Sequence, residues 1–196
     1  MLEEDKINIS PQTLFNIILI SESIILLIST IFIDLNKINL TPYLHFNRYC
    51  LISGLIAGLT ISFIAKLIYI IGKTGKFEIF RGFVDIYTDS VYKKFKQFNI
   101  TQILLISLIS GFCEEVFFRG VLQTLVGVYP CNLIFAFIHA PRLSFWVLFI
   151  LSFLAGLVFS YLKIYFHSLW PAIIGHSVNN FISFIFLKVI IIDDKI

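Results

Sequence analysis

Charge is scarce in this chain. Lysine, arginine, aspartate and glutamate make up 14% of its 196 residues, where a soluble domain carries ~25%. Proline is also rare, at five, and so is cysteine, at three. Hydrophobic residues fill the gap, at 58%. A water-soluble globule of this size has too little interior to hide that much apolar surface. The composition excludes a soluble enzyme, a disordered chain and a nucleic-acid-binding domain. The cysteines (Cys50, Cys113, Cys131) fall in or beside apolar runs, which excludes a disulfide framework. The acidic start, Met1 to Lys6, lacks the basic region and small-residue cleavage site of a secretory signal. The first apolar stretch therefore reads as a retained membrane helix.

What remains is an all-α, polytopic transmembrane bundle. Apolar runs predict about six membrane helices, over residues 11–33, 49–71, 101–126, 130–140, 143–163 and 171–190. Ser10-Pro11 is a good helix start, and Pro141 a stop. Ser53, Gly54, Ala57 and Gly58 in the second helix permit close contacts in lipid. The fourth helix, of about ten residues, reaches only halfway across. Between the second and third, Phe77, Phe80, Phe83, Tyr87, Val91, Phe95 and Phe98 recur at steps of three or four. They make one face of an amphipathic helix expected in the membrane interface. Lys73, Lys76, Lys93, Lys94, Lys96 and Arg142 outweigh Lys37, Arg48 and Lys163 on the opposite side, which predicts both termini in the cytoplasm.

Against this background the buried charges stand out. The third helix carries Glu114-Glu115-Val-Phe-Phe-Arg119. Each ionisable group in mid-membrane costs on the order of 2.5–3.5 kcal/mol. Residues four apart differ by about 40° around a helix, so Glu115 and Arg119 can pair, whereas Glu114 lies about 140° from Arg119. Glu115 with Arg119 reads as structural support, and Glu114 as a carboxylate left for acid or base work. Its face carries Ser107, Ser110 and Gly111. His139 closes the fourth helix, and His176 shares a face of the sixth with Asn180; Asn179 lies on the flank as the rival. At ~1.5 Å per residue, Glu114, His139 and His176 lie about 18, 13 and 7.5 Å from helix ends on one membrane face, so they can converge. Glu22 and Lys66 form a second set of opposite sign, read as structural: they pair between the first two helices, or Lys66 snorkels to the inner edge. Cys113, beside Glu114, reads as an inert buried thiol.

Glu-Glu-x-x-x-Arg (114–119), Phe-x-x-x-His (135–139) and His-x-x-x-Asn (176–180), in that order on successive apolar helices, resemble the CPBP family. These are CAAX prenyl endopeptidases and bacterial relatives linked to bacteriocin processing or immunity, also called Abi proteins. The resemblance covers about residues 101–184 and divides the chain into residues 1–100, two transmembrane helices with the amphipathic helix, and a catalytic core over 101–190. It implies an intramembrane, glutamate-dependent endopeptidase. Glu114 and His139 would activate water, and His176 and Asn180 would stabilise the oxyanion. The implied partners are a peptide or membrane-protein substrate and the lipid bilayer, with no nucleic acid. No cofactor is expected; one Glu and two His could instead bind zinc, but no His-Glu-x-x-His helix is present. The rival readings are a non-catalytic membrane partner or immunity protein on the same scaffold, and a proton relay or transporter. The lack of repeat halves counts against the last.

Overall fold

The structure, a computed structural model, describes residues 9–86, 95–140 and 142–193. Among these there is no strand, and the chain is an all-α bundle. The helices are α1 (Pro11–Leu35), α2 (Arg48–Lys73), α3 (Arg81–Ile86), α4 (Ile100–Val126), α5 (Val128–His139), α6 (Trp146–Phe166) and α7 (Trp170–Asp193). Five of them, α1, α2, α4, α6 and α7, are long and apolar enough to cross a membrane. Their outer faces expose side chains such as Leu27, Ile56 and Phe63, which suits contact with lipid rather than water.

Local chemistry sets the helix ends. Ser10 caps α1, its Oγ accepting from the Thr13 N–H at 3.0 Å, with Pro11 in the first turn. Asn47 caps α2 in the same way. Asn99 and Gln102 form a reciprocal capping box at the start of α4. Gly127, at φ 87°, makes the sharp break between α4 and α5, a backbone shape that other residues avoid. His167, at φ 47°, ends α6 in the left-handed region.

Contacts at the two ends of the bundle fix the path of the chain. At one end Gln102 Nε2 donates to Gln12 Oε1 at 3.3 Å, and Lys188 Nζ donates to the Phe98 carbonyl at 2.6 Å. At the other, the Leu169 N–H donates to the Tyr43 carbonyl at 2.8 Å, and Ser168 Oγ to the His45 carbonyl at 2.7 Å. Gln12 and Lys188 thus share an end. The short helix α5 is 12 residues long, about 18 Å at 1.5 Å per residue. After it, the 3-10 turn Leu143–Phe145 brings the Ser144 carbonyl against Gly82 of α3.

α5 packs on its sequence neighbour α6, but two other main contacts join helices far apart in sequence. α2 packs chiefly on α7, and α1 on α4. The α2–α7 approach is close because Gly54 faces it: a Cβ there would meet the Pro171 carbonyl oxygen at 2.7 Å. α1 turns Phe15, Glu22 and Ser29 inward, at seven-residue steps. Phe15 joins Phe98, Ile103 and Ile106 in one buried cluster. Of the segment expected as one amphipathic helix, the described residues before 87 form a 3-10 turn, Glu78–Phe80, followed by α3. Phe83 and Phe98 from its apolar face are buried within the bundle rather than at its surface. Tyr87, Val91, Lys93 and Lys94 lie outside the described residues.

Candidate active site

The site begins at Glu114 and Glu115, side by side near the middle of α4. From Val116 to Leu122 the backbone of α4 winds as a π-helix, a rare form common at functional sites. No residue type announces it in the sequence. The two glutamates point to different partners, as helical geometry requires.

Glu115 joins a closed network. Its Oε1 accepts from Arg119 Nη1 at 2.9 Å, and both side chains are fully buried. The same oxygen lies 2.7 Å from Nδ1 of His176, which donates to it. Arg119 Nη2 donates further, to Asn132 Oδ1 and to the Gly156 carbonyl, each at 3.1 Å. Asn132 in turn donates from Nδ2 to Ser160 Oγ at 2.9 Å. The guanidinium lies 4.4 Å from the centroid of the Phe135 ring, close enough for a cation–π contact. A Cβ on Gly156 would collide with Asn132 Oδ1. One arginine thereby ties α4, α5 and α6 together and orients the imidazole of α7. Two atoms within this network, Glu115 Oε2 and Arg119 Nε, have no hydrogen-bond partner.

Glu114 is left open. Its Oε2 lies 3.4 Å from Nε2 of His139, near but not aligned as a hydrogen bond, so the oxygen is buried without a partner. Catalytic contacts of this kind tighten when substrate or water arrives. The Glu114 side chain is 14% exposed and that of His139 30%. Nδ1 of His139 donates to the Phe135 carbonyl at 2.9 Å, because a carbonyl can only accept. That leaves Nε2 as the nitrogen that meets Glu114. A cavity of about 540 Å³ runs from Glu114 and His139 past Asn180 to Arg142, Phe145 and Phe184.

The four residues singled out for chemistry therefore come together. Donor atoms of Glu114, His139 and His176 all lie within 4.8 Å of one another. Asn180 reaches the same cavity and holds its amide by donating to Ser110 Oγ at 2.9 Å. Asn179 also lines the cavity, but its Oδ1 accepts from Ser62 of α2 at 3.1 Å. Cys113 is buried, and its thiol is free. Glu114, His139 and His176 are also a donor set that fits a divalent cation with one position open to water. Each imidazole has Nδ1 tied to an acceptor, which fixes the tautomer in the way metal-binding histidines need. A cation held there would polarise the water it carries.

Two residues depart from the sequence reading. Glu22 does not pair with Lys66. Lys66 Nζ instead lies 5.3 Å over the Phe186 ring, while Glu22 is buried against the cavities that hold Glu114 and His139. The reason is topological: α1 packs on α4, and α2 on α7. Asn132 is the other. Nothing in its local pattern showed that it would meet Arg119.

Comparison with known proteins agrees with the motifs. An uncharacterized protein of Bacillus subtilis (strain 168), YpbD, is 44% identical over 73 residues, which cover 35% of this chain and 39% of that protein. The chain thus spans well under half of that relative's length. No solved structure matches. The sequence model of the family described as Rce1-like, Type II CAAX prenyl endopeptidase Rce1-like, matches residues 96–182, the segment that carries all three motifs.

Proposed function

We propose that the protein is an intramembrane endopeptidase in which Glu114 acts as general base. One observation carries the reading: an unpartnered Glu114 carboxylate, 3.4 Å from an imidazole, beside a cavity inside the bundle. The family match to residues 96–182 supports it.

In this mechanism a water sits between Glu114 and His139 Nε2. Glu114 takes a proton from it as its oxygen attacks the carbonyl carbon of the scissile peptide bond. The carbonyl π electrons move to oxygen. His176 Nε2–H and an Asn180 amide hydrogen donate to that oxyanion, and donors fixed in a dry site stabilise developing charge strongly. In this role both ring nitrogens of His176 carry a proton: Nδ1–H donates to Glu115 and Nε2–H to the oxyanion. The intermediate then collapses, the C–N bond breaks, and Glu114 returns its proton to the leaving amine. His139, tied at Nδ1 to the Phe135 carbonyl, orients the water. Arg119 stays out of the reaction and holds Glu115.

The substrate is a peptide or a membrane-protein segment, and the end of the bundle that holds Gln12 and Lys188 faces the cytoplasm. The test is cleavage of a reporter peptide library by the purified full chain in lipid nanodiscs. Cleavage by the wild type, lost in Glu114→Ala and retained with chelator, is the expected result. Loss with chelator would shift the chemistry to a bound cation. Cleavage surviving in Glu114→Ala would end the proposal.

A further inference from the structure

Glu22 is the least explained charge in the molecule. It sits midway along α1, in a span whose other inward side chains are Phe15 and Ser29. Its exposure is 6%, and its Oε2 is buried with no hydrogen-bond partner. A carboxylate in mid-span costs on the order of 2.5–3.5 kcal/mol, and Lys66, the cation nearest in the sequence pattern, is engaged elsewhere.

The surroundings say what Glu22 is for. It lines two cavities, and Glu114 and His139 line both of them. Glu22 is thus on a wall of the catalytic site, contributed by a helix outside the three motifs. The smaller cavity, about 260 Å³, has apolar sides made by Ile25, Phe117, Phe118 and Ile138. Its polar groups are two carboxylates and one imidazole, and no lysine or arginine is among its described lining residues. Arg119, though close to Phe118, is engaged by Glu115, Asn132 and the Gly156 carbonyl. An apolar sleeve with an unpaired carboxylate fits a side chain with an alkyl stem and a cationic tip.

We infer that Glu22 is a recognition carboxylate for a lysine-like side chain of the substrate, seated beside the bond on which Glu114 and His139 act. The stem lies against Ile25, Phe117 and Ile138, and the ammonium meets the free oxygen of Glu22. The location beside a scissile bond rests on the peptidase reading; recognition of the cation does not.

The test uses the full chain in nanodiscs and apolar decapeptides with one lysine walked along them, each matched by norleucine at the same position. Binding is read by fluorescence anisotropy on Glu114→Ala, where no turnover intervenes and Glu22 is the carboxylate left in the smaller cavity. At one or two positions lysine should bind about tenfold or more tighter than norleucine, the scale of one charge-assisted contact. Adding Glu22→Gln should bring that ratio to about one. A ratio near one at every position in Glu114→Ala, or a preference that survives Glu22→Gln, would overturn the inference. If the double variant does not fold, the single variant Glu22→Gln takes its place, with the same two outcomes. Turnover by the wild type separates the two proposals. Binding preference without cleavage would sink the peptidase and leave the recognition site; cleavage without preference would do the reverse.

Discussion

Glu114 and Glu115 are consecutive residues of one helix, yet their surroundings are opposite. Glu115 is fully buried and bonded to a guanidinium and an imidazole. Each glutamate leaves its Oε2 without a hydrogen-bond partner, but Glu114 is partly exposed and faces a cavity, with the His139 imidazole 3.4 Å from its carboxylate. A membrane interior penalises both charges. The closed side offsets the penalty with pairing, which stabilises the fold. The open side does not, and the general-base reading proposed above rests on that difference. The difference arises from one step of about 100° around the helix.

The comparison can be broken from the closed side first. Arg119→Ala leaves the Glu115 charge buried and unpaired, and removal of one partner of such a pair costs about 3–5 kcal/mol. Reversible unfolding in mixed micelles should show that loss. Gly156→Ala comes next. Its methyl group would drive into Asn132 Oδ1 and crowd the guanidinium, and overpacking of this kind costs about 1–3 kcal/mol. Asn132→Ala, which removes one acceptor of Arg119 and one donor to Ser160, should cost about 1–3 kcal/mol by leaving those groups unsatisfied. The smallest effect is expected for the pair that sequence reasoning drew and the structure does not form. A double-mutant cycle of Glu22→Gln with Lys66→Met should give a coupling within about 0.5 kcal/mol, as for sites without contact.

These cases show what was legible in the sequence. The Glu115–Arg119 pair was, because partners four apart on a helix are local. So was the separation of Glu114 from Arg119, and the short reach of α5, which is 12 residues long. The inward Gly54 was legible as a small residue that lets helices approach. Of the two alternatives for Glu22 and Lys66, the pairing does not form, because the bundle sets α1 on α4 and α2 on α7. The amphipathic pattern of residues 77–98 was real, but periodicity does not say whether an apolar face meets lipid or protein; Phe83 and Phe98 meet protein. Asn132 and the π-helix were illegible. The Asn132–Arg119 contact depends on where α5 lies against α4, and no residue type marks the π-helix.

The most direct measurement places the same conservative change at both positions. Glu114→Gln and Glu115→Gln are compared in unfolding free energy and in reporter cleavage by the full chain. The expected result is a split: Glu114→Gln keeps its stability and loses cleavage by about 10²–10⁴-fold, the scale of a general base, whereas Glu115→Gln loses about 3–5 kcal/mol of stability. Full cleavage by Glu114→Gln, or equal loss of stability in both variants, would contradict the division of labour between the two carboxylates.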